Sequence, residues 1–147
     1  MRVENGFKSK RKNPLGKTVE NFETIIGKSI HIDGNLNISQ VVRIDGILNG
    51  NIFQDEGKTA TVAISESGRV NGNIHAQQVI VSGHVKGNIY SLDRVELLAT
   101  SRIEGEITYG SLGIEVGAKV LGKLNQINTQ DGDNVVDLLI SQIERKK

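Results

Sequence analysis

The phrase apolar–x–Gly–x–apolar occurs six times in this chain, and no other feature constrains its fold as much. It closes the segments TIIGKSIHIDGNL (24–36), VRIDGILNGNI (42–52), VAISESGRVNGNI (62–74), VIVSGHVKGNIYS (79–91), VELLATSRIEGEI (95–107) and LGIEVGAKVLGKL (112–124). The recurring glycines are Gly34, Gly50, Gly72, Gly87, Gly105 and Gly122, spaced 16, 22, 15, 18 and 17 residues apart. A fixed period of this size marks a repeat architecture, in which one unit cannot bury its apolar face alone and must stack on its neighbours.

Each winding has one internal order. A short alternating strand such as Val79–Val81 or Val42–Ile44 leads to a turn, written SG at 82–83, DG at 45–46 and SESG at 65–68. A second strand runs into x–Gly–Asn, and a third short strand follows, as at Ile89–Tyr90. Alternation of period two gives each strand one inward and one outward face. Three strands in about 17 residues, with turns too brief for hairpin pairing, fit a three-sided coil whose turns stack at roughly 4.8 Å. The expected fold is all-β, a solenoid of about six windings. The Gly-Asn pairs at 34–35, 50–51, 72–73 and 87–88 suit a bend at positive φ. They also suit an asparagine ladder up one corner. The last two windings carry Glu106 and Lys123 instead, so the ladder should end before them. An antiparallel sandwich of hairpins is the rival. Nearly identical phrases argue against it, because sandwich strands have unlike neighbours.

Composition supports the coil. The chain has three Phe, two Tyr and no Trp, with 17 Gly and one Pro, so the core must be built in thin layers of Ile, Val and Leu. There is no Cys for a disulfide, thiolate or thiol nucleophile. MRVENGFKSKRKN contains no apolar run, so no signal peptide is expected. No stretch reaches membrane-spanning length. A cytoplasmic location is the expectation. The domain division expected is a basic tail at 1–23, a β-helix at 24–124 and a C-terminal tail at 125–147.

The phrases TIIGKSIHIDGNL, VRIDGILNGNI, VSGHVKGNIYS and RVELLATSRIEGEI resemble those of the bactofilins, bacterial polymer-forming cytoskeletal proteins, over about residues 24–124. The resemblance implies a right-handed, three-sided parallel β-helix of about six windings with flexible tails. It also implies nucleotide-free polymerisation by end-to-end stacking, a role in cell shape or in polar and envelope organisation, and tail contacts with the inner membrane face or with envelope and morphogenesis proteins. Two departures stand out. FQDEGKTAT (53–61) makes one connection about five residues longer than its neighbours. Many family members carry Phe in the last winding where this chain has Val120.

Function is expected at the ends of the rod. A solenoid leaves its first and last coils open, and soluble ones cap them. Neither TIIGKSIHI nor GIEVGAKVLGKL carries Pro or an evident inward charge. The expected polymer interface is Ile25, Ile26, Ile30, Ile32 and Leu36 at one end, and Leu112, Ile114, Val116, Val120 and Leu124 at the other. Stacking without a closing rotation gives an open filament of this one chain. Burial of apolar surface needs no nucleotide, consistent with the missing phosphate loop, and no cofactor is expected. A non-polymerising solenoid that binds a protein or envelope partner is the alternative.

Catalysis finds little support. His31, His75 and His84 are scattered through the rung order and read as surface residues on outward positions. A left-handed β-helix acyltransferase would use a His but demands a hexapeptide period, which these spacings lack. Asp33, Asp45 and Glu104 sit beside turns or corner glycines and read as turn residues rather than an acid–base pair. No enzymatic activity and no metal site are expected.

The tails differ from the core. Residues 1–23 carry six Lys/Arg and three Glu, whereas 24–147 carry 12 Lys/Arg and 14 Asp/Glu. Within FKSKRKNPLGK, the residues Phe7, Lys8, Lys10, Arg11 and Lys12 could meet an anionic membrane surface, where each base contributes about 1 kcal/mol. A solvated tail or an acidic protein partner would use the same charge. Nucleic acid is disfavoured because the core has no basic stripe. In DGDNVVDLLISQIERKK (131–147), Val135, Val136, Leu138, Leu139 and Ile143 form a helical stripe. Such a helix could cap the last coil, dock a partner, or fray, since about 12 residues are marginal alone.

Overall fold

The structure, a computed structural model, describes residues 23–127. The tail segments 1–22 and 128–147 lie outside the described residues, and with them Phe7, Lys8, Lys10, Arg11, Lys12 and the apolar stripe of 131–147. The described chain forms 18 strands of two to four residues, with no helix among the described residues. They assemble into three six-stranded sheets, and every pairing is parallel. The first sheet takes the strands Thr24–Ile26, Val41–Ile44, Thr61–Ile64, Gln78–Val81, Arg94–Leu97 and Ser111–Ile114. The second and third strands of each rung build the other two sheets in the same order. This is a three-sided β-helix of six rungs.

Each strand pairs with the strand of the same role one rung away, so side chains of like kind fall into columns. Val42, Val62, Val79, Val95 and Leu112 make one inward column of the first sheet; Ile26, Ile44, Ile64, Val81, Leu97 and Ile114 make the other. The second sheet contributes Ile32, Leu48, Val70, Val85, Ile103 and Val120, and the third contributes Leu36, Ile52, Ile74, Ile89, Ile107 and Leu124. Four aliphatic side chains therefore fill the axis in each of rungs two to six, and three do in rung one, where Thr24 heads the first column. In the middle rungs these residues are fully buried, each contributing about 1.5–3 kcal/mol relative to exposure. β-branched residues dominate because they fit a pleated surface packed on both sides.

The corner between the second and third sheets is set by glycine. Gly72 adopts φ +156°, and a Cβ there would lie 1.9 Å from the carbonyl oxygen of Gly50 in the rung before. Gly87 stands in the same relation to Gly72. From Gly50 onward a side chain in this column would force the rungs apart, whereas Gly34 at its head has nothing within 4 Å. The long connection between rungs two and three, residues 55–60, is absorbed at the corner between the third and first sheets. Gln54 holds it there: its Oε1 accepts from the amides of Ala60 and Gln77, at 2.8 and 2.7 Å. Val42 still pairs with Val62 beyond it.

Gly72→Ala should lower unfolding stability by about 3 kcal/mol or more, from strain and steric overlap. Gly27→Ala, where no atom lies within 4 Å of the added carbon, should stay within about 0.5 kcal/mol of the parent. Urea midpoints of the two variants check this contrast.

Candidate functional site

The two ends of the rod present different surfaces. In the first rung, Ile32 and Leu36 point into the core column and are half-buried. Ile26 also points inward, in the column of Ile44, and is only 7% exposed. Ile25 pairs with Arg43 on the outward side, and Ile30 sits in the turn; both are exposed. In the last rung, Leu112, Ile114, Val120 and Leu124 continue the four inward columns. Ile114 is 51% exposed and Leu124 is exposed, whereas their counterparts Leu97 and Ile107 in rung five are fully buried. Val116 differs: it projects from the turn at 97% exposure, away from the columns. Leu121, which the sequence reading did not select, is exposed on the outer side of the same rung, where the preceding rung has Glu104. The C-terminal rung thus ends in an apolar layer with no seventh rung among the described residues to cover it.

Beside this layer runs a polar corner. Asn35 Oδ1 accepts from the Asn51 amide, Asn51 Oδ1 from Asn73, and Asn73 Oδ1 from Asn88, at 2.8–2.9 Å. Asn88 Oδ1 accepts from the Glu106 amide at 2.9 Å, and there the series of asparagine acceptors stops. Glu106 instead turns its carboxylate to the Nδ2 of Asn125. Each asparagine satisfies a donor that a bend between sheets would otherwise leave without a strand partner.

The acidic residues serve cross-rung contacts rather than turns alone. Asp33 accepts from Asn49 Nδ2 at 2.9 Å, with His31 beside it. Glu104 lies in a strand, 2.7 Å from His84 Nε2 and 3.3 Å from Arg102 Nε. Hydrogen bonds from His84 and then Arg102 hold its carboxyl below the usual value against a small opposing effect of burial. At Asp45 the largest effect is burial, which raises the carboxyl. Hydrogen bonds from Arg43 and Ser65 and the charges of Arg43 and Lys28 together outweigh it, and the net shift is downward. The three carboxylates sit at separate places on the rod, each with its own partners. An open groove at the corner of the first and second sheets is lined by Lys28, Asp45, Ser65, Ser82, Thr100 and Glu115. Three of its hydroxyls bond to the rungs: Ser65 Oγ donates to the Ile44 carbonyl, Ser67 Oγ to the Asp45 carbonyl and Thr100 Oγ1 to the Ser82 carbonyl. No cluster of His, Asp and Glu suited to a metal occurs among the described residues.

One expectation is corrected. The three histidines were read as surface residues, and all occupy outward positions, but His75 is 1% exposed. Its neighbours in the outward column of the third sheet are Phe53 and Tyr90. The three rings stack nearly parallel, with centroids 5.2 and 4.7 Å apart. The signal was available in the register: the phrases NIF, NIH and NIY place three rings at one position of consecutive rungs.

Comparison with known proteins agrees with this architecture. The family described as "Bactofilin: Polymer-forming cytoskeletal" matches residues 24–125. The chain is similar to the bactofilin BacO of Myxococcus xanthus, 34% identical over 102 residues, covering 69% of this chain and 78% of that protein. It is similar to BacP of the same organism, 30% identical over 109 residues, covering 74% of this chain but 44% of BacP. No solved structure gives a significant match. Among the described residues no helix is long and apolar enough to cross a membrane.

Because the Asp45 carboxyl is depressed in the folded chain, its contribution to stability is complete above the ordinary carboxylate range and is lost as pH falls through the lower folded value. Arg43→Gln should therefore be less stable than the parent at pH 7, and the gap should narrow on acidification below about pH 4, where the unfolded carboxyl protonates. Denaturant midpoints measured across that range check the sign.

Proposed function

We propose, since this chain belongs to the bactofilin family, that its β-helix is the subunit of a filament built by stacking rod on rod through the end rungs. The observation that carries this reading is the uncovered apolar layer of Leu112, Ile114, Val120 and Leu124. These four residues continue columns that are fully buried one rung earlier. The opposite end supplies Ile32, Leu36 and the rim residues Ile25 and Ile30, with Ile26 beneath. Three open strand edges at each end add main-chain donors and acceptors to the apolar contact, as in strand addition. Hydrophobic burial and strand pairing supply the free energy, so assembly needs no nucleotide. The family's polymer-forming, cytoskeletal character favours a scaffold role in cell shape or envelope organisation over a binding module that stays single.

We place the filament in the cytoplasm with its basic N-terminal segment at the inner face of the membrane. Phe7–Lys17 holds five bases and no acid. An envelope protein with an acidic patch would use the same charges. The domain boundaries that follow are a membrane- or partner-directed segment at 1–23, a polymerisation domain at 24–124 and a C-terminal segment at 125–147.

Val120→Arg puts a charge into the joint, where burial costs several kcal/mol, so association should weaken by about 100-fold or more. Negative-stain microscopy without nucleotide should show filaments for the parent and short particles for the variant, with an unchanged β circular dichroism spectrum. Filaments of undiminished length in both Val120→Arg and Leu124→Arg would discard end stacking. Separately, the full chain should sediment with anionic vesicles at low salt and be released at high salt. A variant with Lys8, Lys10, Arg11 and Lys12 changed to Gln should lose at least about tenfold in binding, from ~1 kcal/mol per base.

A further inference from the structure

Read along the chain, the rod shows no basic stripe. The register builds one. From rung three to rung six, one outward column of the second sheet runs Arg69, His84, Arg102 and Lys119, and the other runs Asn71, Lys86, Glu104 and Leu121. Each of these four rungs places one permanent base on the face, and Arg69, Lys86, Arg102 and Lys119 are all exposed. At the spacing of parallel strands the four lie within about 14 Å along the rod. The first sheet treats its arginines differently. Arg43 and Arg94 each meet a carboxylate two residues further on, Asp45 at 2.8 Å and Glu96 at 2.7 Å. On the second sheet the matching place holds Asn71 after Arg69 and Leu121 after Lys119, and a further base, Lys86, after His84. Arg102 alone of the four has its acid there, Glu104 at 3.3 Å. Among the described residues no carboxylate lies within ion-pair distance of Arg69, Lys86 or Lys119.

We infer that this face of the rod docks on an anionic lipid bilayer, with Arg69, Lys86, Arg102 and Lys119 set against the headgroup phosphates. The inference rests on the membrane placement proposed above but assigns it to a surface separate from the N-terminal segment. Three observations select a bilayer. The face is one side of a three-sided coil and belongs to a single sheet, so its bases stand close to one plane. A planar surface reaches all four, whereas a strongly curved partner reaches fewer. Leu121 shares the face with these bases and is 53% exposed. An apolar side chain among bases suits the boundary of headgroups and acyl chains and gains nothing from a nucleic-acid backbone. Acid is displaced to the far side. The corner between the third and first sheets lies opposite the second sheet, and it carries the exposed Asp55, Glu56 and Asp93. Glu66 and Glu115 occupy turns that border the face, and Glu115 Oε1 accepts from the Ala99 amide along that border. Docked this way, the rod holds its bases within a Debye length of the leaflet and its acidic corner as far from the lipid charge as the coil allows. The 55–60 detour then points away from the bilayer.

The test is flotation of the full chain with vesicles through a density gradient, which keeps bound protein apart from filaments that sediment unaided. It is run in the background with Lys8, Lys10, Arg11 and Lys12 changed to Gln, so that those N-terminal bases contribute nothing. At low salt this background should still float with vesicles of phosphatidylcholine and phosphatidylglycerol, and should not float with phosphatidylcholine alone. Adding Arg69→Gln, Lys86→Gln and Lys119→Gln together should raise the lipid concentration for half-binding by at least about thirtyfold. Lys86→Gln alone should raise it by about fivefold. Lys58→Gln removes one base from the opposite corner and should change it by less than about twofold. The substituted side chains lie outside the core columns, so the β circular dichroism spectrum should be unchanged. Equal flotation of the triple variant and its parent overturns the inference. So does an equal loss from Lys58→Gln and Lys86→Gln, which would reduce the effect to net charge. So does tighter binding of duplex DNA or polyglutamate than of the anionic vesicles, which would assign the face to nucleic acid or to an acidic protein. The two membrane readings fail separately. If the four N-terminal changes leave binding of the native chain unaltered, the segment loses its role and this face stands; if they abolish binding, the face is overturned and the segment stands.

Discussion

Everything in this molecule depends on parallel pairing between residues of the same role. Each strand finds its hydrogen-bond partners in the rungs above and below, while only turn bonds such as the Gly68 amide to the Ser65 carbonyl close within a rung. That single constraint turns a sequence repeat into columns of like side chains. It builds an axis of aliphatic residues, a corner of glycines in backbone contact and a line of asparagines that pass amide hydrogen bonds from rung to rung. No rung is stable alone, because its inward residues are covered only by its neighbours.

The same constraint explains why the ends matter. A globular sheet closes its edges with turns, charges or a covering helix. Here the fold generates two edges on every side and places the core between them. Rung six has the sequence of an interior rung, with Val120 and Leu124 in columns that the preceding rung fills with Ile103 and Ile107. Leu121 replaces the charged Glu104 on its outer side, which widens the apolar area at this end. An end that looks like an interior invites continuation of the stack.

Much of this was legible in the sequence because the signals were local and repeated. The corner glycines, the Asn that follows them and the period-two strands each recur at fixed places, so six weak signals reinforce one another. The replacement of Asn by Glu106 and Lys123 likewise announced where the asparagine series stops. Other features depended on register, which a linear reading does not supply. Phe53, His75 and Tyr90 are separated by 22 and 15 residues, and only pairing between rungs turns them into a stack. Glu104 was read by its place next to Gly105, whereas its working partner His84 lies 20 residues away on the same face. Val116 was grouped with the core-facing residues of the last rung by hydrophobicity alone. Its turn position carries it outward, which composition does not encode.

The six-residue detour at 55–60 has a consequence for how such rods can diverge. Inserted residues usually shift the pairing of everything downstream, but here Val42 meets Val62 as if the detour were absent. The corner pinned by Gln54 decouples chain length from register. New sequence can be spliced at that point without cost to the stack, and it will always emerge sideways from the rod at the same height. In a row of joined subunits such a graft would recur at the repeat distance, a ready-made ruler for spacing whatever it carries.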